Sequence, residues 1–190
     1  MNVLLIGPPG SGKGTQGELL SNRFQLAHIA AGDLLRAEVE AETPIGKSVK
    51  EYLDRGELVP DEVIIELLMP AVGTAVDNGG YVLDGFPRSV GQAQVARGLA
   101  ERAGATPDAV IYLEASRDEL VRRILGRAKV EGRSDDTEAV IHNRLQVFDE
   151  ATHPLVDYYR GRGLLHVIDA NQSENVVADR ILAAIAHLIP

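Results

Sequence analysis

The chain has 190 residues, 45% of them hydrophobic and 25% charged, a balance that fits one soluble globular domain with a sizeable core and excludes a disordered or membrane-embedded chain. A formal net charge of −9 excludes the broadly basic surface that a nucleic-acid binder offers to a phosphate backbone, and leaves small anionic ligands open. The absence of cysteine excludes a disulfide framework and a thiolate zinc site, and fits a cytoplasmic protein.

The apolar run NVLLIG at 2–7 lacks the alternation of a half-exposed strand, so it predicts a strand buried on both faces. It is too short for a membrane span and has no basic flank, so no targeting segment is expected. GPPGSGKGT follows, and a helix is predicted over 13–24. Glycines let backbone N–H groups turn inward around an anion, and the positive end of a helix favours the same charge. Lys13 can then reach the β and γ phosphates of ATP or GTP. Many such loops place a hydroxyl for Mg²⁺ straight after the lysine; here Gly14 stands there and Thr15 comes one place late.

A second strand is predicted at 26–30, then helices over 33–42, 46–54 and 61–77, with Asp33 and Asp61 as N-cap or first-turn residues and Pro60 at a boundary. No core strand falls within 30–59, so this stretch reads as an insertion over the carboxyl ends of the strands. YVLDG at 81–85 predicts the third strand, and Asp84 at its end is placed to face the phosphates. It would hold Mg²⁺ directly or through water, with the Thr15 hydroxyl nearby; the plainer alternative is a turn-capping aspartate. Arg88 follows the GFP turn, too close to the ligand edge for a merely solvated arginine.

Next come a helix over 90–103, a strand at 109–115 and a helix over 117–128. Arg123 and Arg127 lie one turn apart on one face of that helix, a face that Asp118 and Arg122 would also suit as a charged exterior. The polar run GRAKVEGRSDD at 126–136 reads as a second insertion. A helix over 136–161 carries Arg144, a last strand is predicted at 164–169, and Ser173 opens a final helix over 173–188. The fold class is therefore α/β, a five-stranded parallel sheet with helices on both faces. The histidines at 28, 142, 153, 166 and 187 lack metal-ligand spacing, and Tyr158 and Tyr159 read as packing.

GPPGSGKGTQ, AAGDLLR, LVPDEV, LDGFPRS and GRSDD occur in the order and spacing seen in nucleoside monophosphate kinases, and over essentially its whole length the chain most resembles the adenylate kinases. GKGT is that family's usual spelling of the loop. The resemblance implies a single P-loop kinase domain over 1–190, with an NMP-binding helical insertion at 30–59 and a short lid at 126–136. It implies reversible phosphoryl transfer from MgATP to AMP, giving two ADP, by a cytoplasmic monomer with no nucleic-acid or membrane partner. ATP would lie on Gly10, Ser11, Gly12, Lys13, Gly14 and Thr15, with Arg123 against its base, Arg127 against its phosphates and the Gln172 backbone against the adenine. AMP would be held by Arg36 and Arg88, between walls made by Glu57, Leu58 and Val59 and by Gly85, Phe86 and Pro87, with Gln92 reading the base. Arg133 and Arg144 match arginines that touch the phosphates during transfer, so the implied catalytic set is Lys13, Asp84, Arg88, Arg127, Arg133 and Arg144.

Two departures qualify the likeness. Ala31 stands where adenylate kinases commonly have a threonine and where UMP/CMP kinases usually have alanine, whereas Gln92 matches the adenine-reading glutamine. AMP is the expected acceptor, with UMP or CMP as the alternative. The lid is short and without cysteines, so Mg²⁺ is expected with ATP and no structural zinc. A non-catalytic nucleotide switch would share the phosphate loop, but it has no use for Arg36, Arg88 and Gln92. A GTP reader would also carry an Asn/Lys-x-x-Asp run, which is missing from YLEASRDEL.

Overall fold

The computed structural model describes residues 1–131 and 137–189, with the backbone alone for 129–131. Five strands, β1 (Asn2–Ile6), β2 (Ala27–Ala30), β3 (Tyr81–Asp84), β4 (Ala109–Glu114) and β5 (Leu165–Asp169), form one parallel sheet in the order β2-β3-β1-β4-β5. The strands expected from continuous apolar runs are all present. Along β1 the side chains alternate between two cores: Leu4 and Ile6 pack into one, Val3 and Leu5 into the other. Burial on both faces is why the run reads as unbroken apolar residues.

Helices α1 (Lys13–Phe24) and α9 (Glu174–Ala184) cover the face that carries Val3, Leu5, Val82 and Ile111. The opposite face meets α2 (Ala31–Glu40), α3 (Pro44–Arg55), α4 (Asp61–Asp77), α5 (Val90–Ala103) and α8 (Leu155–Arg160). Side chains of Thr43, Ser89 and Thr137 accept from N–H groups three residues on, capping α3, α5 and α7 (Glu138–Val147). Winding runs outward from β1 to β2 on one side and crosses to β4 and β5 on the other. That reversal beside β1 opens a crevice at the carboxyl ends of the strands, where such sheets bind ligands.

Three helical stretches depart from the sequence expectation by more than two residues. Helix α6 (Arg117–Glu131) runs past the expected end at 128 into the stretch read as a polar insertion. Ala128, Lys129 and Glu131 are good helix formers, and propensity outweighs the polar character of that run. The single helix expected over 136–161 is instead α7, a π-helical segment at Phe148–Thr152 and α8. Pro154 lacks the N–H that a continuous helix needs there. The last helix stops at Ala184 and a 3₁₀ turn follows over Ala186–Leu188.

Candidate active site

The phosphate loop joins β1 to α1 and depends on two glycines. Gly10 (φ 81°) approaches α6 so closely that a Cβ would lie 2.8 Å from Ile124 and 2.9 Å from the Leu120 carbonyl. Gly12 (φ 93°) is the left-handed N-cap of α1. Both need the freedom that only glycine has at no cost. The first bond of α1 runs from Gln16 N–H to the Gly12 carbonyl at 3.0 Å, so the N–H groups of Lys13, Gly14 and Thr15 take no part in the helix ladder. They open a cradle for an anion at the positive end of a helix.

Lys13 Nζ donates to the carbonyls of Gly7 (2.9 Å) and Pro8 (3.0 Å), folding the side chain back over the loop. Burial lowers its pKa from the ordinary 10.5 to about 8; the Asp84 charge pulls it up, and Arg88, Arg144 and Arg127 push it down. Asp84 ends β3, opposite Leu5 of β1 and Ala30 of β2. Its Oδ1 is buried and finds no hydrogen-bond partner among the described residues. A Cβ on Gly14 would point to Asp84 Oδ2, 4.0 Å away. The missing hydroxyl therefore leaves open space in front of a carboxylate with an unused acceptor, which suits a hydrated Mg²⁺. Among the described residues no three His, Asp or Glu side chains cluster into a metal cage.

These groups line one cleft of about 1440 Å³, above the 300–1,000 Å³ typical of a single small-ligand pocket. Seven cationic side chains (Lys13, Arg36, Arg88, Arg122, Arg123, Arg127 and Arg144) face five carboxylates there, so positive charge gathers in the cleft of a strongly acidic protein. Gly10 to Thr15, Asp84, Gly85 and Gln172 also line it. Arg123 is fixed by Glu119 (2.6 Å) and donates to the Ala170 (2.8 Å) and Gln172 (3.4 Å) carbonyls. Hydrogen bonds from Arg122 and Arg123 hold the Glu119 carboxyl down at about 2. Asp169 orders the loop after β5, accepting from the backbone and side chain of Asn171, from Arg180 and from Gln172 Nε2, bonds that hold it well below the usual carboxylate range.

On the other side, Arg36 pairs with Asp33. Arg88 Nε donates to the Gly85 carbonyl (2.8 Å), the Arg88 carbonyl accepts from Thr152 Oγ1 (2.7 Å) and its N–H donates to Gln92 Oε1 (2.7 Å). Arg144 lays its stem on Gly56, while its neighbour Asn143 donates to the Arg55 carbonyl at 2.6 Å. Leu58 and Pro87 line a small adjoining cavity with Arg88 and Arg144. Ala31, Val59, Phe86 and Gln92 are buried behind the cleft wall, and Glu57 is half-buried. Arg133 lies outside the described residues. Glu119 and Thr152 were not singled out in the sequence, where Asp61 was read only as a helix-start residue and Arg122 only as part of a charged helix face; Glu119, one turn before Arg123, had a local signal.

No helix among the described residues is long and apolar enough to cross a membrane. A family model described as adenylate kinase matches residues 5–164. The chain is 44% identical over 185 residues to an adenylate kinase of Stenotrophomonas maltophilia (strain K279a), covering 97% of this chain and 99% of that protein. It is 45% identical over 181 residues to an adenylate kinase of Xanthomonas campestris pv. campestris (strain 8004), covering 95% and 97%.

Proposed function

The chain belongs to the adenylate kinase family, and from that premise we propose that it moves the γ-phosphoryl group of MgATP to AMP, giving two ADP, within the arginine-lined cleft. One observation carries this reading: a single cleft joins a phosphate loop to a second cationic side, Arg36 and Arg88, and is large enough for two nucleotides.

ATP phosphates take the N–H groups at the start of α1 and the Lys13 ammonium, which leaves the Gly7 and Pro8 carbonyls to meet them. Arg123 and the backbone of Gln172 face the ATP base. Arg36 and Arg88 hold the AMP phosphate, with residues 57–59 and 85–87 as walls and Gln92 behind them. Asp84, with the Thr15 hydroxyl nearby, would hold Mg²⁺ through water, and the ion would supply positive charge to the ATP phosphates. Arg127, Arg133 and Arg144 stabilise charge on the oxygens of the transferring group. No side-chain nucleophile is required. Transfer is direct because the two sites share one cleft, and proximity replaces a collision between two bound anions. The stretches 30–59 and 126–136 act as the acceptor insertion and the lid, and their closure excludes the water that would otherwise take the phosphoryl group. The enzyme works as a cytoplasmic monomer.

The test measures ADP formation with AMP, UMP, CMP and GMP as acceptors. AMP should give the highest kcat/KM. A clear preference for UMP or CMP would assign Ala31 the deciding part in base choice and overturn the AMP reading; turnover with none of them would sink the kinase itself.

A further inference from the structure

The amide of Gln92 is held from both ends by the chain itself. Gln92 is 3% exposed; its Oε1 accepts from the Arg88 backbone N–H at 2.7 Å and its Nε2 donates to Asp61 Oδ1 at 2.8 Å. A primary amide carries two N–H groups and two acceptor lone pairs, so one of each is used and one of each remains. The two partners also fix which end is which. A carboxylate only accepts and a backbone N–H only donates, so the flipped amide would oppose N–H to N–H and oxygen to carboxylate.

The two partners come from separate parts of the chain. Arg88 adjoins the same helix as Gln92, whereas Asp61 is the first residue of α4, 31 positions earlier. The ordinary role of a first-turn aspartate is to favour the positive end of its helix. That role uses its charge. The bond to Gln92 uses an acceptor oxygen, and the two roles can be separated by substitution.

We propose that Asp61 is a specificity-determining positioning residue, which together with the Arg88 backbone N–H sets the orientation of the Gln92 amide and thereby the donor and acceptor order offered to the acceptor base. The inference rests on the reading of Gln92 as the base-facing residue of the AMP site. With nitrogen and oxygen fixed, the remaining N–H and lone pair match an edge that presents a ring acceptor beside an amino donor, as adenine does. Hypoxanthine has nearly the same size but reverses that order, with a carbonyl oxygen beside a ring N–H. A fixed amide discriminates between the two, and an amide free to flip does not.

The experiment measures dissociation constants of AMP and IMP by titration calorimetry, with thermal unfolding alongside, for the wild type and for D61A, D61S, D61N and Q92A. Asp61→Ala and Asp61→Ser should cut the AMP preference on the order of tenfold, the effect of one lost hydrogen bond of this kind. Asp61→Asn keeps an acceptor oxygen without the charge and should retain the preference. The serine variant, whose hydroxyl is too short to reach Gln92 but starts a helix well, keeps the test valid if the alanine variant is poorly folded. An unchanged AMP to IMP ratio in D61A or D61S, with or without a uniform loss of affinity or stability, overturns the proposal. If Q92A lowers the ratio in that case, the reading of Gln92 survives the loss of Asp61. An unchanged ratio in Q92A overturns the Gln92 reading and the proposal with it.

Discussion

Lys13 lies between opposing influences: burial and three arginines favour the neutral amine, while Asp84 favours the ammonium. With a folded value of about 8 against the ordinary 10.5, the unfolded chain holds a proton across that interval that the folded chain has released, so this group adds stability as pH rises through it. Affinity for ATP has the opposite sign, because only the charged form attracts phosphate. The kcat/KM for ATP should therefore fall above pH about 8, while kcat, which reports the enzyme with phosphates already bound, should hold to higher pH. Coincident limbs in the two pH profiles would show that Lys13 is not the titrating group. Asp84 makes a second prediction at this scale. Asp84→Asn keeps the shape and removes the charge, and should raise the Mg²⁺ concentration for half-maximal ATP binding by calorimetry about tenfold, within the range seen for outer-shell ligands. An unchanged Mg²⁺ dependence would return Asp84 to a turn-capping role. Gly14 and Asp84 could be read together from the sequence because each stands at the end of a strand-and-turn pattern. The Asp61, Gln92, Arg88 and Thr152 chain of bonds could not, because its members are 31 and 64 positions apart and their meeting depends on how α4 and the π-helical segment pack.

At the scale of elements, α2 and α3 cross at Gly46. A Cβ there would come 2.0 Å from the Glu38 carbonyl oxygen, and backbone cannot yield as a flexible side chain can. Gly46→Ala should push the two helices apart at a cost of about 1–3 kcal/mol, the usual range for overpacking. Arg36 rides on α2, so AMP affinity should weaken more than ATP affinity. Equal losses for both nucleotides, measured with thermal unfolding as the control, would separate this helix pair from the acceptor site. The strands were legible because burial on both faces leaves unbroken apolar runs, and α4 because Pro60 and Asp61 mark the start of its pattern. The break at 148–154 was marked by Pro154, which the long amphipathic pattern around it obscured. The extension of α6 had no turn residue to oppose it until Gly132.

For the whole molecule, the excess of acidic residues and the cationic cleft are two parts of one arrangement. A net charge of −9 disfavours nucleotides at the protein as a whole, whereas in the cleft at the carboxyl ends of the strands seven cations outnumber five carboxylates. The sequence revealed the arginines' number and their spacing along the chain; the sheet order brings Arg36 and Arg88, which follow β2 and β3, and Arg123, Arg127 and Arg144, which lie between β4 and β5, to a single space. The central claim is that this space holds donor and acceptor together and passes the phosphoryl group directly between them. Product stoichiometry tests it most directly, with purified protein, Mg²⁺ and ATP followed by phosphorus NMR with and without AMP. The account predicts two ADP for each ATP consumed, strict dependence on AMP and no accumulation of inorganic phosphate. One ADP and one phosphate per ATP, at a rate indifferent to AMP, would contradict it.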